Sequence, residues 1–104
     1  MFQTLKSLFT PQEPVDYKEL LQNGAHVVDV RTPNEYKGGH IKDSRNIPLQ
    51  NLSNSFKKLD NNKPVIVCCA SGARSGSAKR LLESNGFTSV YNGGGWQMLD
   101  SQLK

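Results

Sequence analysis

The residues best suited to chemistry lie in one short stretch, residues 69–75, which reads Cys-Ala-Ser-Gly-Ala-Arg-Ser. The small residues after Cys69 leave backbone N–H groups free to converge on an anion. Arg74 adds a fixed positive charge, and a helix predicted to begin near Ser75 adds the positive end of its dipole. All three features favour the thiolate, which is the nucleophilic form of cysteine. We therefore predict a nucleophilic Cys69.

The neighbouring cysteine offers a second frame for the same loop. Counted from Cys68, the stretch reads cysteine, five residues and Arg74, which is the spacing of the cysteine phosphatases. However, Val67 stands where those enzymes have histidine, and Ser71 stands where they have glycine. Side chains alternate along a strand, so the two cysteines cannot both face the loop. Cys69, at the strand exit, is the better candidate, and Cys68 is expected to pack in the core.

The elements on both sides of the loop can be predicted from periodicity. The apolar, β-branched run Val65–Cys69 indicates a buried strand, and apolar residues recur at helical spacing after residue 75. Other predicted strands are residues 26–30, 45–47 and 88–91, and residues 93–95 are predicted to form a flexible glycine turn. Two short helices are predicted to begin at Asp16 and at Thr32. Two further helices are predicted over residues 49–59 and 96–103. Alternating strands and helices indicate an α/β domain with a mostly parallel central sheet.

Two charged residues lie at the end of the predicted strand 26–30. Asp29 and Arg31 occupy a place where a buried charge is costly unless it is paired. We expect them to form a network that supports the loop, with an ordinary surface ion pair as the alternative. The two histidines, His26 and His40, are scattered and give no metal-ligand spacing, so no metal or other cofactor is expected. We expect His40 to serve in packing.

Length and composition limit the possible classes of protein. The chain has 104 residues, of which 36% are hydrophobic and 21% charged, and a formal net charge of +4. These values predict a single domain, residues 15–104, after a loosely packed lead-in, residues 1–14. The basic residues are spread out, whereas nucleic-acid binding needs a concentrated patch. We therefore expect no nucleic-acid partner, and a monomer by default.

The cysteine usage and the N-terminal sequence bear on location. Adjacent cysteines seldom adopt a good disulfide geometry, so a reducing compartment is the simpler interpretation. The first residues contain Lys6 within a mildly apolar run and lack a long apolar core. They resemble neither a signal peptide nor a membrane span. We expect a cytoplasmic protein with no membrane partner.

Three stretches together resemble one known family. The loop at residues 69–75 resembles the Cys-x-x-Gly-x-Arg-Ser active-site loop of the rhodanese sulfurtransferases. Residues 27–36, followed by Gly-His-Ile at 39–41 and Asn-Ile-Pro at 46–48, are similar to the other signature of that family. Residues 90–96 resemble its last strand and glycine turn. The matches occur in the family's order over about residues 15–100.

This resemblance implies a small sheet with helices on both faces, and sulfur transfer through a cysteine persulfide. The Cys69 thiolate would take a sulfur from a small anionic donor such as thiosulfate and pass it to cyanide or to a small-molecule or protein thiol. Arg74 would orient either the donor or the loop. The substrate-binding residues would be those of the loop: Ala70, Ser71, Gly72, Ala73, Arg74 and Ser75.

Two other functions remain open at this point. One is a phosphatase or arsenate reductase on a similar fold, against which the missing histidine and the displaced glycine count. The other is a sulfur carrier or binding module with little thiosulfate turnover. A binding module would most simply lack the cysteine, which this chain has.

Overall fold

The structure is a computed structural model and describes residues 14–104. The predicted lead-in, residues 1–14, therefore lies outside the described residues except for Pro14. The helices are α1 (Tyr17–Gln22), α2 (Pro33–Lys37), α3 (Ala73–Ser84) and α4 (Trp96–Leu103). The strands are β1 (His26–Asp29), β2 (Arg45–Asn46), β3 (Val65–Cys69) and β4 (Val90–Gly95).

The four strands form one parallel sheet in the order β2-β1-β3-β4. All five residues of β3 are buried, which is why its sequence is apolar throughout rather than alternating. One face packs against Leu82 of α3 and Leu52, and the other packs against Leu99 of α4, with Leu20 of α1 beside it. The predicted α/β architecture, with a small parallel sheet and helices on both faces, is confirmed.

The short helices begin at the predicted caps. The Asp16 carboxylate accepts a hydrogen bond from the Glu19 N–H at 3.0 Å and starts α1. Thr32 and Glu35 form a reciprocal capping box at the start of α2, with Pro33 in the first turn. The box fixes α2 directly after β1, at the edge of the sheet where the cysteine loop also lies.

The prediction of one amphipathic helix over residues 49–59 is wrong. The segment forms two 3₁₀ helices, Leu49–Asn54 and Phe56–Lys58, which are separated at Ser55. Serine and asparagine are weak helix formers because their side chains compete for backbone hydrogen bonds. Here the Ser55 hydroxyl donates to the Asn51 carbonyl at 3.0 Å. The apolar spacing is still used, since Leu52 is fully buried.

The glycine-rich segment also differs from expectation, because residues 93–95 belong to β4 and do not form a flexible turn. Val67 pairs with Asn92 and Cys68 pairs with Gly94, so one extra residue, Gly93, forms a β-bulge. A Cβ atom at Gly93 would lie 2.8 Å from Leu99 Cδ2. A side chain at position 93 would therefore displace the fully buried Leu99 of α4.

Candidate active site

Cys69 ends the central strand β3 and lies beneath the loop that leads into α3. Its Sγ accepts hydrogen bonds from the Gly72 N–H at 3.0 Å and from the Ser75 N–H at 3.4 Å. Gly72 has φ +103°, in the left-handed region, which a residue with a side chain adopts only with strain. Helix α3 begins at Ala73, two residues earlier than predicted, so its first turn is part of the cradle around the sulfur.

The environment of the sulfur changes its acidity. Burial alone would raise the pKa of the Cys69 thiol. The Ser75 hydroxyl and the N–H groups of Ser75, Ser71 and Gly72 act in the opposite direction, and the net result is a pKa below the ordinary cysteine value. The site therefore favours the thiolate of Cys69 by hydrogen bonding.

Cys68 lies on the other face of the sheet, as strand alternation requires. It packs in an apolar cluster with Ile66 and Leu99 and is fully buried. Burial, assisted by the negative charge of Asp29, raises the pKa of the Cys68 thiol to about 12. Cys68 is therefore a protonated core residue at neutral pH.

Ser75 and Asn92 lie behind the sulfur. The buried Ser75 places its hydroxyl oxygen 3.5 Å from Cys69 Sγ and 2.6 Å from Asn92 Oδ1. Asn92 was not among the predicted site residues. Its position on β4, 17 residues beyond Ser75, gives no local signal of this contact. Only the pairing of β3 with β4 brings it to the loop.

Arg74 is engaged by a carboxylate. Its Nη1 donates to Glu35 Oε1 at 2.8 Å and its Nη2 donates to Glu35 Oε2 at 3.0 Å. These hydrogen bonds, followed by one from the Thr32 N–H, lower the pKa of Glu35 to about 2. The capping glutamate of α2 thus also ties α2 to the cysteine loop. Sequence reasoning missed this role of Glu35, although it predicted that a helix begins at Thr32.

Asp29 and Arg31 form a buried ion pair, so the alternative of a surface ion pair is wrong. The Arg31 Nη2 lies 2.7 Å from Asp29 Oδ2, and the two side chains are 5% and 0% exposed. Arg31 also donates to the carbonyls of Gly39 at 2.7 Å and Glu35 at 3.3 Å, and its guanidinium lies 4.9 Å from the centre of the Trp96 ring. The pair therefore contacts the loop through Glu35, not directly.

A cleft of about 300 Å³ opens beside Arg74, at the C-terminal ends of β1 and β2. Ligands of parallel sheets bind at this edge. Residues that follow β1 and β2 supply most of its wall, and most of the exposed lining is apolar. The lining residues are Val30, Thr32, Pro33, Pro48, Leu49, Gln50 and Arg74.

His40 contacts a neighbouring aromatic residue. His40 stacks on Tyr36 with ring centres 3.8 Å apart, and its Nδ1 lies 2.7 Å from the Tyr36 carbonyl oxygen.

Within residues 14–104, no three His, Cys, Asp or Glu side chains are grouped so that they could hold a metal ion. In the same range, no helix has both the length and the apolar character needed to cross a membrane.

Known proteins resemble this chain in sequence and in fold. The model of one protein family, described as the rhodanese-like domain, matches residues 13–99. The chain belongs to the rhodanese-like domain family. A structure described as a rhodanese with anions from E. coli superposes with a TM-score of 0.69 at 36% identity, covering 72% of this chain and 91% of that chain.

Relatives of this rhodanese-like chain differ in what is known of them. Thiosulfate sulfurtransferase GlpE of Ectopseudomonas mendocina is 38% identical over 93 residues, which are 88% of this chain and 85% of that protein. Protein YqhL of Bacillus subtilis, named as uncharacterized, is 42% identical over 81 residues. That match covers 77% of this chain and 64% of the B. subtilis protein, just under two thirds of its length.

Proposed function

We propose that this protein is a sulfurtransferase that carries a sulfane sulfur on Cys69. The donor is a small anion such as thiosulfate, and the acceptor is cyanide or a small-molecule or protein thiol. The observation that carries the proposal is the cradle of N–H groups around Cys69 Sγ, at 3.0 Å from Gly72 and 3.4 Å from Ser75. The relative from Ectopseudomonas mendocina, which bears the name thiosulfate sulfurtransferase, supports the same chemistry.

The first half-reaction loads the enzyme. The Cys69 thiolate attacks the outer sulfur of thiosulfate, a new S–S bond forms, and the S–S bond of thiosulfate breaks. Sulfite leaves with the electron pair of the broken bond, and the protein keeps the persulfide Cys69–S–S⁻. No proton transfer is needed, because the nucleophile and the donor are both anions. The lowered pKa of Cys69 raises the fraction of enzyme ready to react.

The second half-reaction unloads the sulfur. A thiolate or cyanide attacks the outer persulfide sulfur, and the Cys69 thiolate leaves with the electron pair. The loop N–H groups stabilise the negative charge that returns to Sγ, as a preorganised anion hole does. The loop side chains of Ala70 and Ser71 are exposed, whereas Cys69 itself is 1% exposed, so reactants approach from the loop side.

The roles proposed for the other residues follow from their partners. The loop residues 70–75 bind the donor and the persulfide mainly through backbone N–H groups. Arg74 donates hydrogen bonds from both of its Nη atoms to the Glu35 carboxylate, so it orients the loop and gives the donor a nearby positive charge. Asp29 and Arg31 support this arrangement through the Glu35 backbone.

The phosphatase-like frame has little support. It would require Cys68 as nucleophile, but Cys68 faces the opposite side of the sheet and its pKa is raised to about 12 by burial. A sulfur carrier without turnover would use the same Cys69 persulfide and differs only in the second half-reaction. The monomeric state and the cytoplasmic location remain predictions from the sequence.

Intact mass after incubation with thiosulfate tests the first half-reaction. Wild type and the matched control Cys68→Ser should gain one sulfur atom, and Cys69→Ser should gain none. An adduct lost only in Cys68→Ser would reverse the assignment of the nucleophile. Absence of an adduct in every variant would refute thiosulfate as donor.

Treatment of the loaded protein with cyanide tests the second half-reaction. We expect the added sulfur to disappear from the protein and an equal amount of thiocyanate to form. Loading that is not followed by release to cyanide or to a small thiol would favour the carrier function instead.

A further inference from the structure

Three hydrogen bonds fix the side chain of Asn92. Its Oδ1 accepts from the Gly94 N–H at 2.9 Å and from the Ser75 hydroxyl at 2.6 Å, and its Nδ2 donates to the Gly72 carbonyl at 3.3 Å. A flipped amide would place its NH₂ group against the Gly94 N–H, two donors with no acceptor between them. The carbonyl oxygen of the amide therefore faces Ser75.

Ser75 has one hydroxyl proton and three acceptors within reach. Its Oγ lies 2.6 Å from Asn92 Oδ1, 3.1 Å from the Gly72 carbonyl oxygen and 3.5 Å from Cys69 Sγ. A hydroxyl can donate only once, but its oxygen can also accept. Since the contact with Asn92 is the shortest, the proton lies toward Asn92 while Cys69 is a thiol. The Ser75 oxygen then accepts the S–H of Cys69.

Ionisation of Cys69 reverses this arrangement. A thiolate only accepts hydrogen bonds, so Ser75 stabilises it only by turning its proton from Asn92 to Sγ. The Asn92 carbonyl then loses its shortest hydrogen bond. The amide of Asn92 thus stabilises the thiol relative to the thiolate, in opposition to the loop N–H groups.

We propose that Asn92 is a positioning residue that competes with Cys69 for the single proton of Ser75 and so limits the thiolate fraction of the nucleophile. The inference rests on the proposed function only in taking Cys69 as the nucleophile. It adds a residue on β4 that sets the reactivity of that thiol without touching the reacting sulfur.

The surrounding charges do not provide an equivalent control. Arg74 of α3 acts on Cys69 and is itself bound by Glu35 of α2. On the β1 side, Asp29 and Arg31 are paired with each other. The glycines of β4 and the first turn of α4 are neutral. The direction of the Ser75 proton is therefore the adjustable element beside the sulfur.

The test is the titration of Cys69 in the full chain, followed by the ¹³Cβ NMR shift of labelled cysteine. Asn92→Ala removes the competing acceptor, so the pKa of Cys69 should fall by about half a unit, the size expected for one neutral hydrogen bond. Asn92→Asp supplies a stronger acceptor and a negative charge, so the pKa of Cys69 should rise by about one unit. Opposite signs for the two variants support the proposal.

A merely structural role gives a different pattern. If Asn92 only held the loop in place, both variants would loosen the N–H cradle and raise the pKa of Cys69, and this result overturns the proposal. An unchanged pKa in both variants overturns it as well. Amide spectra of each variant establish that the fold is intact before the titration is interpreted.

Ser75→Ala provides the decisive control. Ser75→Ala removes the hydroxyl proton for which Asn92 competes. Adding Asn92→Ala to this variant should therefore leave the pKa of Cys69 at the value measured for Ser75→Ala alone. A fall as large as in the wild-type background would show that Asn92 acts without Ser75, against the proposal. The titration needs no sulfur donor, so its result is independent of whether thiosulfate loads the protein.

Discussion

Cys68 and Cys69 are adjacent in the sequence and have opposite surroundings. Cys69 Sγ accepts hydrogen bonds from the N–H groups of Gly72 and Ser75, and these bonds lower the pKa of Cys69. Cys68 packs against Ile66 on the opposite face, where burial raises its pKa to about 12. A one-residue step along a strand reverses the side-chain direction. Burial acts on both thiols, and at Cys69 the hydrogen bonds from the loop outweigh it, so the two pKa values move in opposite directions.

The largest expected difference between the two thiols is in their rate of alkylation. At pH 7 a thiol of pKa about 12 is about 10⁻⁵ thiolate, whereas an ordinary cysteine is about 3% thiolate. We expect iodoacetamide to modify Cys69 at least about 1,000-fold faster than Cys68 in the folded protein. Tandem mass spectrometry of the peptide that contains both residues measures each rate.

The pH dependence of the same reaction has a definite sign. The rate at Cys69 should fall about tenfold per pH unit below its pKa, with a midpoint below the ordinary cysteine value. In denaturant both cysteines should react at similar rates. Equal rates in the folded protein would contradict the assigned environments.

The second prediction compares the ion pairs associated with the two faces. Asp29 pairs in register with Cys68, and its ion pair with Arg31 is almost fully buried. Asp29→Asn leaves the Arg31 charge without its partner, which should lower the free energy of unfolding by about 3–5 kcal/mol. Urea denaturation measures the loss.

The pair on the Cys69 side provides the control. Arg74 and Glu35 are 36% and 37% exposed, so solvent screens their attraction. Arg74→Gln should therefore cost less than about 1 kcal/mol. A loss of stability as large as that of Asp29→Asn would mean that the two pairs do not differ in the way their burial indicates.

Replacing each cysteine by serine should affect stability and sulfur loading in opposite ways. Cys68→Ser buries a hydroxyl in an apolar cluster and should cost about 1–3 kcal/mol, with sulfur loading retained in the folded fraction. Cys69→Ser keeps an acceptor for the Gly72 N–H and should cost less than about 1 kcal/mol, with sulfur loading lost. Urea denaturation midpoints measure the stability of the two variants, and intact masses after incubation with thiosulfate measure their sulfur loading. The opposite order of stabilities would contradict this prediction.

The smallest expected effect concerns Glu35. Glu35→Gln removes the carboxylate that holds Arg74, so the guanidinium becomes available to an anionic donor. The thiosulfate concentration for half-maximal loading should therefore fall, by up to about fivefold. The decrease should be smaller at high salt, because salt screens the attraction between Arg74 and the anion. Thr32→Val, which alters the capping box but leaves the carboxylate, is a matched control.

The ionisation of Glu35 itself has a testable pH window. Its pKa in the folded protein is depressed from 4.5 to about 2, so its stabilising contribution is fully present above the unfolded value and disappears as the pH falls from about 4.5 to about 2. Wild type should therefore lose stability over this window more steeply than Glu35→Gln. Identical pH profiles would mean that the tether contributes no measurable stability.

Local chemistry accounts for what could be predicted. The apolar run of β3, the Thr32 capping box and the Cys69 loop each depend on residues that are close in sequence, so pattern and spacing suffice to find them. The errors have local causes too. Apolar spacing over residues 49–59 suggested an α-helix, but serine and asparagine shift it to 3₁₀ turns.

From the sequence alone, Cys69 is predicted as the nucleophile, and the order of the four strands and the resemblance to the rhodanese family can be recognised. The distant residues that contact the Cys69 loop become visible only in the three-dimensional structure. Glu35 lies 39 residues before Arg74, and Asn92 lies 17 residues after Ser75. Such contacts depend on which strands become neighbours and on the bulge that sets the register of β4, and no local pattern specifies either.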